Sequence, residues 1–129
     1  MKVAYIDTSY LVAIAFEEQD SHRLVQRVHS MDAVYSSILL EAEFLAAAER
    51  EGLRAEASPL LEGICWAHPD RRLTKEIDEI LSHGYLRGAD LHHLATARYL
   101  FPDPGPVEFL TVDRRQMEIA RALGFRSSP

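Results

Sequence analysis

Asp7, Glu43, Asp90 and Asp113 are the four acids of this sequence that do not lie in polar runs; most of the 20 Asp and Glu residues do, and read as solvated surface. Asp7 ends the apolar run Val3-Ala4-Tyr5-Ile6, and Asp113 ends Phe109-Leu110-Thr111-Val112. Asp90 follows Gly88-Ala89 at the start of a helical pattern, and Glu43 lies inside the apolar stretch Ile38 to Ala48. If the four converge, like charges at close range raise their pKa values and destabilise the site. A hard divalent cation removes that problem, because Mg²⁺ or Mn²⁺ takes carboxylate oxygens and keeps several waters. Carboxylates around such an ion mostly serve phosphate chemistry, in which the metal polarises phosphoryl oxygens and lowers the pKa of a water. No Cys/His set has zinc spacing.

Each acid has a plainer reading. Asp7, Asp90 and Asp113 all stand where Asp is favoured as a helix cap. Glu43 is harder to explain away, since a buried Glu is rare unless paired. Glu41 competes with it: residues two apart on a helix point about 200° apart, so only one of the two faces a common crevice, and apolar periodicity does not choose between them.

The elements that would position these acids alternate. A strand at Val3–Ile6 leads into a helix at Tyr10–Phe16, and a second helix runs from His22 to about Ser30. A short strand at Ala33–Ser36 is followed by Ser37, which caps a helix from Ile38 to about Glu51, closed by Gly52. Ala55 to Glu62 reads as helical, with Pro59 in its first turn. Ile64–Ala67 reads as a strand, Leu73–Ser82 as a helix, and Asp90 opens a helix reaching Phe101. A Pro-Gly loop at 102–106 precedes a strand at Val107–Val112. A helix from Arg114 to Leu123 follows, stopped by Gly124, and Phe125-Arg126 add a last short strand. The alternation predicts an α/β fold with a mostly parallel central sheet covered on both faces. In such sheets ligands bind outside the carboxyl ends of the strands.

At 129 residues with 47% hydrophobic content and 26% charged, the chain reads as one soluble domain over 1–129. No apolar run approaches the roughly 18 residues of a membrane span, and no secretory signal pattern opens it. With one cysteine, Cys65, no internal disulfide forms, and the expected setting is the cytoplasm. Cys65 and Trp66 sit in an apolar run and read as core. The formal net charge of −6 argues against broad phosphate neutralisation. It leaves open a nucleic-acid site whose positive charge comes from metal.

The order Tyr5-Ile6-Asp7-Thr8-Ser9, Ser37 to Glu43, Asp90-Leu91-His92-His93-Leu94-Ala95-Thr96-Ala97 and Leu110-Thr111-Val112-Asp113 resembles the PIN-domain family. More narrowly it resembles the VapC toxins of bacterial and archaeal toxin–antitoxin pairs. The third motif is the most specific. It is similar to the family's Asp-Ala-Leu-His-Leu-Ala-Thr-Ala, with Leu91 and His92 replacing the second and third residues. The resemblance covers nearly the whole chain and implies a three-layer α/β/α sandwich. The family's serine six residues before its helical Glu matches Ser37 and selects Glu43 over Glu41.

The resemblance further implies that Asp7, Glu43, Asp90 and Asp113 bind Mg²⁺ or Mn²⁺, with Ser9 and Thr111 in support. His93 matches the family's histidine and is expected to be structural. Some members carry a further acid after the last Asp, where Arg115, Gln116 and Met117 stand here. The implied activity is metal-dependent endoribonuclease cleavage, leaving 5′-phosphate and 3′-hydroxyl ends on a structured RNA such as tRNA or ribosomal RNA. The implied partners are a cognate antitoxin and a second copy in a homodimer. Arg87, Arg114 and Arg115 are the candidate RNA contacts nearest the acids.

Two rivals remain. A phosphatase-type phosphoryl-transfer enzyme usually needs a second Asp two residues after its nucleophile, where Ser9 stands. A binding module with too few acids for catalytic metal stays open because the further acid is missing.

Overall fold

Runs of three to five residues with strand character alternate with longer segments of helical period. In the computed structural model, which describes residues 1–129, this pattern becomes a four-stranded sheet. The strands are β1 (Val3–Ile6), β2 (Ala33–Ser37), β3 (Ile64–Ala67) and β4 (Glu108–Leu110). Their order is β3-β2-β1-β4 and all three pairings are parallel, with Tyr5 beside both Tyr35 and Phe109. Parallel strands need crossover connections, and helices supply them. They are α1 (Thr8–Ala15), α2 (Ser21–His29), α3 (Ile38–Arg50), α4 (Arg54–Ala57), α5 (Thr74–His83), α6 (Gly88–Leu100) and α7 (Arg114–Ala122).

The two-residue period of β1 divides the core. Ala4 and Ile6 face a cluster with Leu110 and the apolar sides of α1, α2 and α3, including Leu11, Leu24, Leu40 and Phe44. Tyr5 faces the other way, with Phe109, Ile80 of α5, Leu94 of α6 and Ile119 of α7. Tyr5 and Phe109 stack with ring centroids 5.5 Å apart. The result is the expected three-layer α/β/α arrangement.

Topology places the site. From β1 the chain steps to β2 and β3 on one side, then returns to β4 on the other. The connections leaving β1 and β4 therefore diverge and open a crevice at the strands' carboxyl ends, the usual ligand position in open α/β sheets. The ladder runs one residue past β1, because Asp7 N–H donates to Leu110 O at 2.9 Å.

Local departures from the sequence expectation have physical causes. Helix α6 starts at Gly88, two residues early, with Arg87 as its extended N-cap residue. The stretch expected as one helix from Ala55 to Glu62 is a single α turn followed by a 3-10 turn, Ser58–Leu61, with Pro59 near its start. Proline has no N–H to continue an α ladder. Phe125-Arg126 contribute one bridge, Arg126 to Glu108, rather than a strand. Cys65 is exposed, against the core expectation, because on the edge strand β3 it is Ile64 and Trp66 that pack against the core, and Cys65 lies on the opposite face. No helix is long and apolar enough to cross a membrane.

Candidate acidic site

Asp7 is 2% exposed, the most deeply buried of the four acids, and its two oxygens differ in use. Oδ2 accepts from Ser9 N–H at 3.1 Å and Ser9 Oγ at 2.6 Å, and lies 3.3 Å from Thr111 Oγ1. The first of these caps α1, so the plain reading of Asp7 holds, but it occupies only one oxygen. Oδ1 receives a single 3.3 Å bond, from Gln116 Nε2. Ser9 thus orients Asp7, and its hydroxyl also accepts Val112 N–H at 3.2 Å, tying β1's end to β4's.

Asp113 caps α7 in the same divided way, its Oδ1 accepting Gln116 N–H at 2.8 Å. Thr111 fixes the backbone there by accepting Asp113 N–H at 3.0 Å. Asp90 is different. Because α6 starts early, Asp90 lies within its first turn rather than at its cap, and the helix has no side-chain cap bond. Partial burial, and then the charges of Asp7 and Asp113, push its carboxyl above the usual aspartate range. The three aspartates meet around one side chain: Gln116 Nε2 donates to Asp7 Oδ1 and to the Asp90 carbonyl, and Gln116 N–H to Asp113 Oδ1, although Asp7 and Asp90 are 83 positions apart.

Glu43 faces the crevice edge while Glu41 is exposed. Glu43 Oε1 accepts from Thr8 Oγ1 at 2.7 Å and from His93 Nε2 at 2.9 Å. The hydrogen bond from His93, and then that from Thr8, hold its carboxyl below the usual glutamate range against the opposing effect of burial. His93 is 1% exposed. A carboxylate only accepts, so Nε2 carries the proton. Nδ1 is left to accept from the Tyr5 hydroxyl 2.9 Å away, which in turn accepts Ser37 N–H at 3.1 Å. His92 also finds a partner, Ser37 Oγ at 3.0 Å.

Arg87, Arg114 and Arg115 are all exposed. Arg87 is the N-cap residue of α6, three positions before Asp90, and its charge acts to lower the Asp90 pKa. Arg114 lines a cavity of about 260 Å³ together with Arg23, Tyr10 and Thr111, so the cavity abuts the acidic crevice. Arg115 turns away, packing on Gly84 where a Cβ would collide with it, and lies 3.5 Å from Glu118.

No three His, Cys, Asp or Glu side chains are arranged as a finished cation site. The donor set nevertheless fits a hard divalent ion. Asp90 receives no side-chain hydrogen bond, Asp7 Oδ1 receives one long one, and Asp113 and Glu43 each keep one oxygen out of the hydrogen bonding. The mutual repulsion expressed at Asp90 is what a cation would offset.

The site combines a parallel α/β/α sheet, a switch-point crevice and a group of coupled carboxylates, the class of architecture in which acids serve phosphate chemistry. The chain belongs to the PIN domain family, whose model matches residues 4–122. PIN domains are generally nucleases and typically depend on divalent metal, so at the coarse level the chain is a hydrolase of nucleic acid. A comparison with curated proteins finds no match.

Sequence reasoning misses Gln116, whose side chain enters the site from the buried face of α7. The available signal is a Gln in register with Ile119 and Ala120, three and four residues on, all buried. His93 is legible in its motif, but its bond to Glu43 is not.

Proposed function

We propose that the chain is a Mg²⁺-dependent endoribonuclease, with Mn²⁺ as an alternative ion, and the toxin of a toxin–antitoxin pair. The observation that carries this reading is the gathering of Asp7, Asp90 and Asp113 at the switch point, where Gln116 bonds to Asp7 Oδ1, to the Asp90 carbonyl and, through its N–H, to Asp113 Oδ1. In this proposal Asp7, Asp90 and Asp113 hold the metal, with Glu43 at the crevice edge. When bound, the ion polarises phosphoryl oxygens and lowers the pKa of a water.

Ser9 fixes the Asp7 carboxylate, Thr111 fixes the Gln116 carboxamide that bonds to it, and His93 and Thr8 keep Glu43 ionised with Oε2 available to a water proton. The water's oxygen bonds to phosphorus as the bond from phosphorus to O3′ breaks. O3′ takes up a proton, giving 5′-phosphate and 3′-hydroxyl ends. Single-stranded loops of tRNA or ribosomal RNA suit an open crevice, because their bases and backbone are accessible there. Arg114 and Arg87 contact the RNA backbone beside the acids. In this reading the protein acts in the cytoplasm as a single PIN domain and as a homodimer. A cognate antitoxin blocks it by placing a basic residue among the acids, a role suited to a chain of net charge −6.

The test is cleavage of RNA with Mg²⁺, Mn²⁺ or EDTA by the native protein and by Asp7→Asn. Metal-dependent fragments absent from the mutant support the proposal. A second reading, a PIN-fold binding module without catalysis, draws on Arg115, Gln116 and Met117 standing where some family members carry a further acid. RNA binding that is indifferent to metal, with no cleavage, would favour it.

A further inference from the structure

Gln116 is the one side chain of α7 that reaches across the crevice, and it is 0% exposed. Its carboxamide makes three contacts. Nε2 donates to Asp7 Oδ1 at 3.3 Å and to the backbone carbonyl of Asp90 at 3.1 Å, while Oε1 accepts from Thr111 Oγ1 at 2.9 Å. The amide's orientation is dictated by chemistry: the carboxylate and the carbonyl only accept, so the NH₂ group must face them. Its backbone N–H separately caps onto Asp113.

One residue therefore touches Asp7, the helix turn that carries Asp90, and Asp113. A carboxamide on the buried face of a helix, among Met117, Ile119 and Ala120, costs stability unless its bonds are made. Here all are made, and every buried side-chain polar atom in the structure has a partner. An apolar side chain would fill the same volume without needing that network.

We propose that Gln116 is a positioning residue for metal capture. Its carboxamide bridges Asp7 to the first turn of α6, sets the separation of the Asp7 and Asp90 carboxylates, and keeps Asp7 Oδ1 turned toward the crevice. It touches neither RNA nor metal. The inference rests on the metal-dependent reading of the site and deepens it. Residues that hold metal ligands by hydrogen bonds are typically worth about 10–100-fold in metal affinity or activity.

The substitution that isolates the carboxamide is Gln116→Met, which keeps length and volume, removes both side-chain donors and leaves the backbone cap intact. Mn²⁺ binding is measured by electron paramagnetic resonance on metal-free native and mutant protein, with thermal melts and circular dichroism alongside. RNA cleavage is then measured against both metal and RNA concentration. The expected result is a folded mutant whose Mn²⁺ dissociation constant rises about tenfold or more. Its kcat at fixed metal falls while its KM for RNA is unchanged. A folded mutant with native Mn²⁺ affinity overturns the proposal while leaving the nuclease reading intact. If the native protein binds no Mn²⁺, the site reading itself fails and this inference with it. Should Gln116→Met not fold, nuclear magnetic resonance of the native protein tests the role instead. The Gln116 side-chain amide must exchange slowly and shift as Mg²⁺ is added, and an amide signal indifferent to Mg²⁺ contradicts the role.

Discussion

His93 Nε2 lies 2.9 Å from Glu43 Oε1, and the same ring meets the Tyr5 hydroxyl through Nδ1 at 2.9 Å. The histidine thus joins the helix that carries Glu43 to the strand that leads into Asp7. It follows Asp90 by three residues on α6, so one imidazole braces three of the elements around the crevice.

Replacing it should be costly. His93→Ala leaves the buried Tyr5 hydroxyl without its acceptor and the Glu43 carboxylate with Thr8 alone, and an unsatisfied buried polar group costs about 1–3 kcal/mol. The denaturation midpoint of the mutant should fall accordingly. Acid sensitivity should change too. Glu43 has a depressed folded pKa, so its contribution is present above the unfolded value, about 4.3, and is lost as pH falls through the lower folded value. In His93→Ala this part of the acid-side loss should shrink, as seen in midpoints measured from pH 7 down to pH 2.

Asp90 should show the opposite sign. Its folded pKa is raised, so the ionised carboxylate destabilises the metal-free protein above that pKa, and the penalty vanishes below the unfolded value. Asp90→Asn should therefore melt at a higher temperature than the native protein at pH 7 and at the same temperature near pH 3. Its RNA cleavage should nevertheless fall by more than about 100-fold, the upper range for residues that merely support a ligand. A mutant both less stable and fully active would contradict the shared field of the three aspartates.

Arg71 and Glu76 provide a pair remote from the acids. Arg71 Nη2 donates to Glu76 Oε2 at 2.6 Å, and the glutamate side chain is 8% exposed. The hydrogen bond from Arg71 outweighs burial and holds the Glu76 carboxyl below the usual range. Arg71→Met should lower the denaturation midpoint at pH 7. The difference should be present above about pH 4.3 and disappear as the native Glu76 protonates at its lower folded pKa. Cleavage should be unchanged.

Arg114 should act on RNA rather than on chemistry. It lines the cavity beside Thr111 and is not paired with an acid. Arg114→Ala should raise the KM for RNA, leave kcat unaltered, and reduce the salt dependence of binding by about one counterion. A kcat effect at saturating RNA would move Arg114 from binding into the reaction.

What is legible in the sequence follows the range of the interactions involved. The step from β1 through Asp7 into α1 is local: an apolar run, a capping acid and a helix, all within a dozen residues. The Asp113 junction has the same form, and in both the acid caps the helix as expected, although α1 starts at Thr8 rather than Tyr10 and β4 ends at Leu110 rather than Val112. The start of α6 is hidden because Gly88 is a poor helix former and the N-cap residue Arg87 makes no side-chain cap bond, which makes Asp90 look like the cap. Glu43 separates from Glu41 only by resemblance, since their difference lies in Thr8 and His93, which are distant in sequence. Gln116 is invisible as a site residue because its partners lie 26 and 109 residues away. Cys65 reads wrongly as core because an apolar run on an edge strand need not be buried on both faces.

The most direct test of the central claim is a time course of the purified protein, freed of any partner, on labelled tRNA and ribosomal RNA. It is run with Mg²⁺, with Mn²⁺ and with EDTA, beside Asp7→Asn, a substitution that retains a capping residue. The account predicts discrete fragments with 5′-phosphate ends in either metal, and none with EDTA or from the mutant. Fragments of equal yield from folded Asp7→Asn, or from the native protein in EDTA, would contradict it.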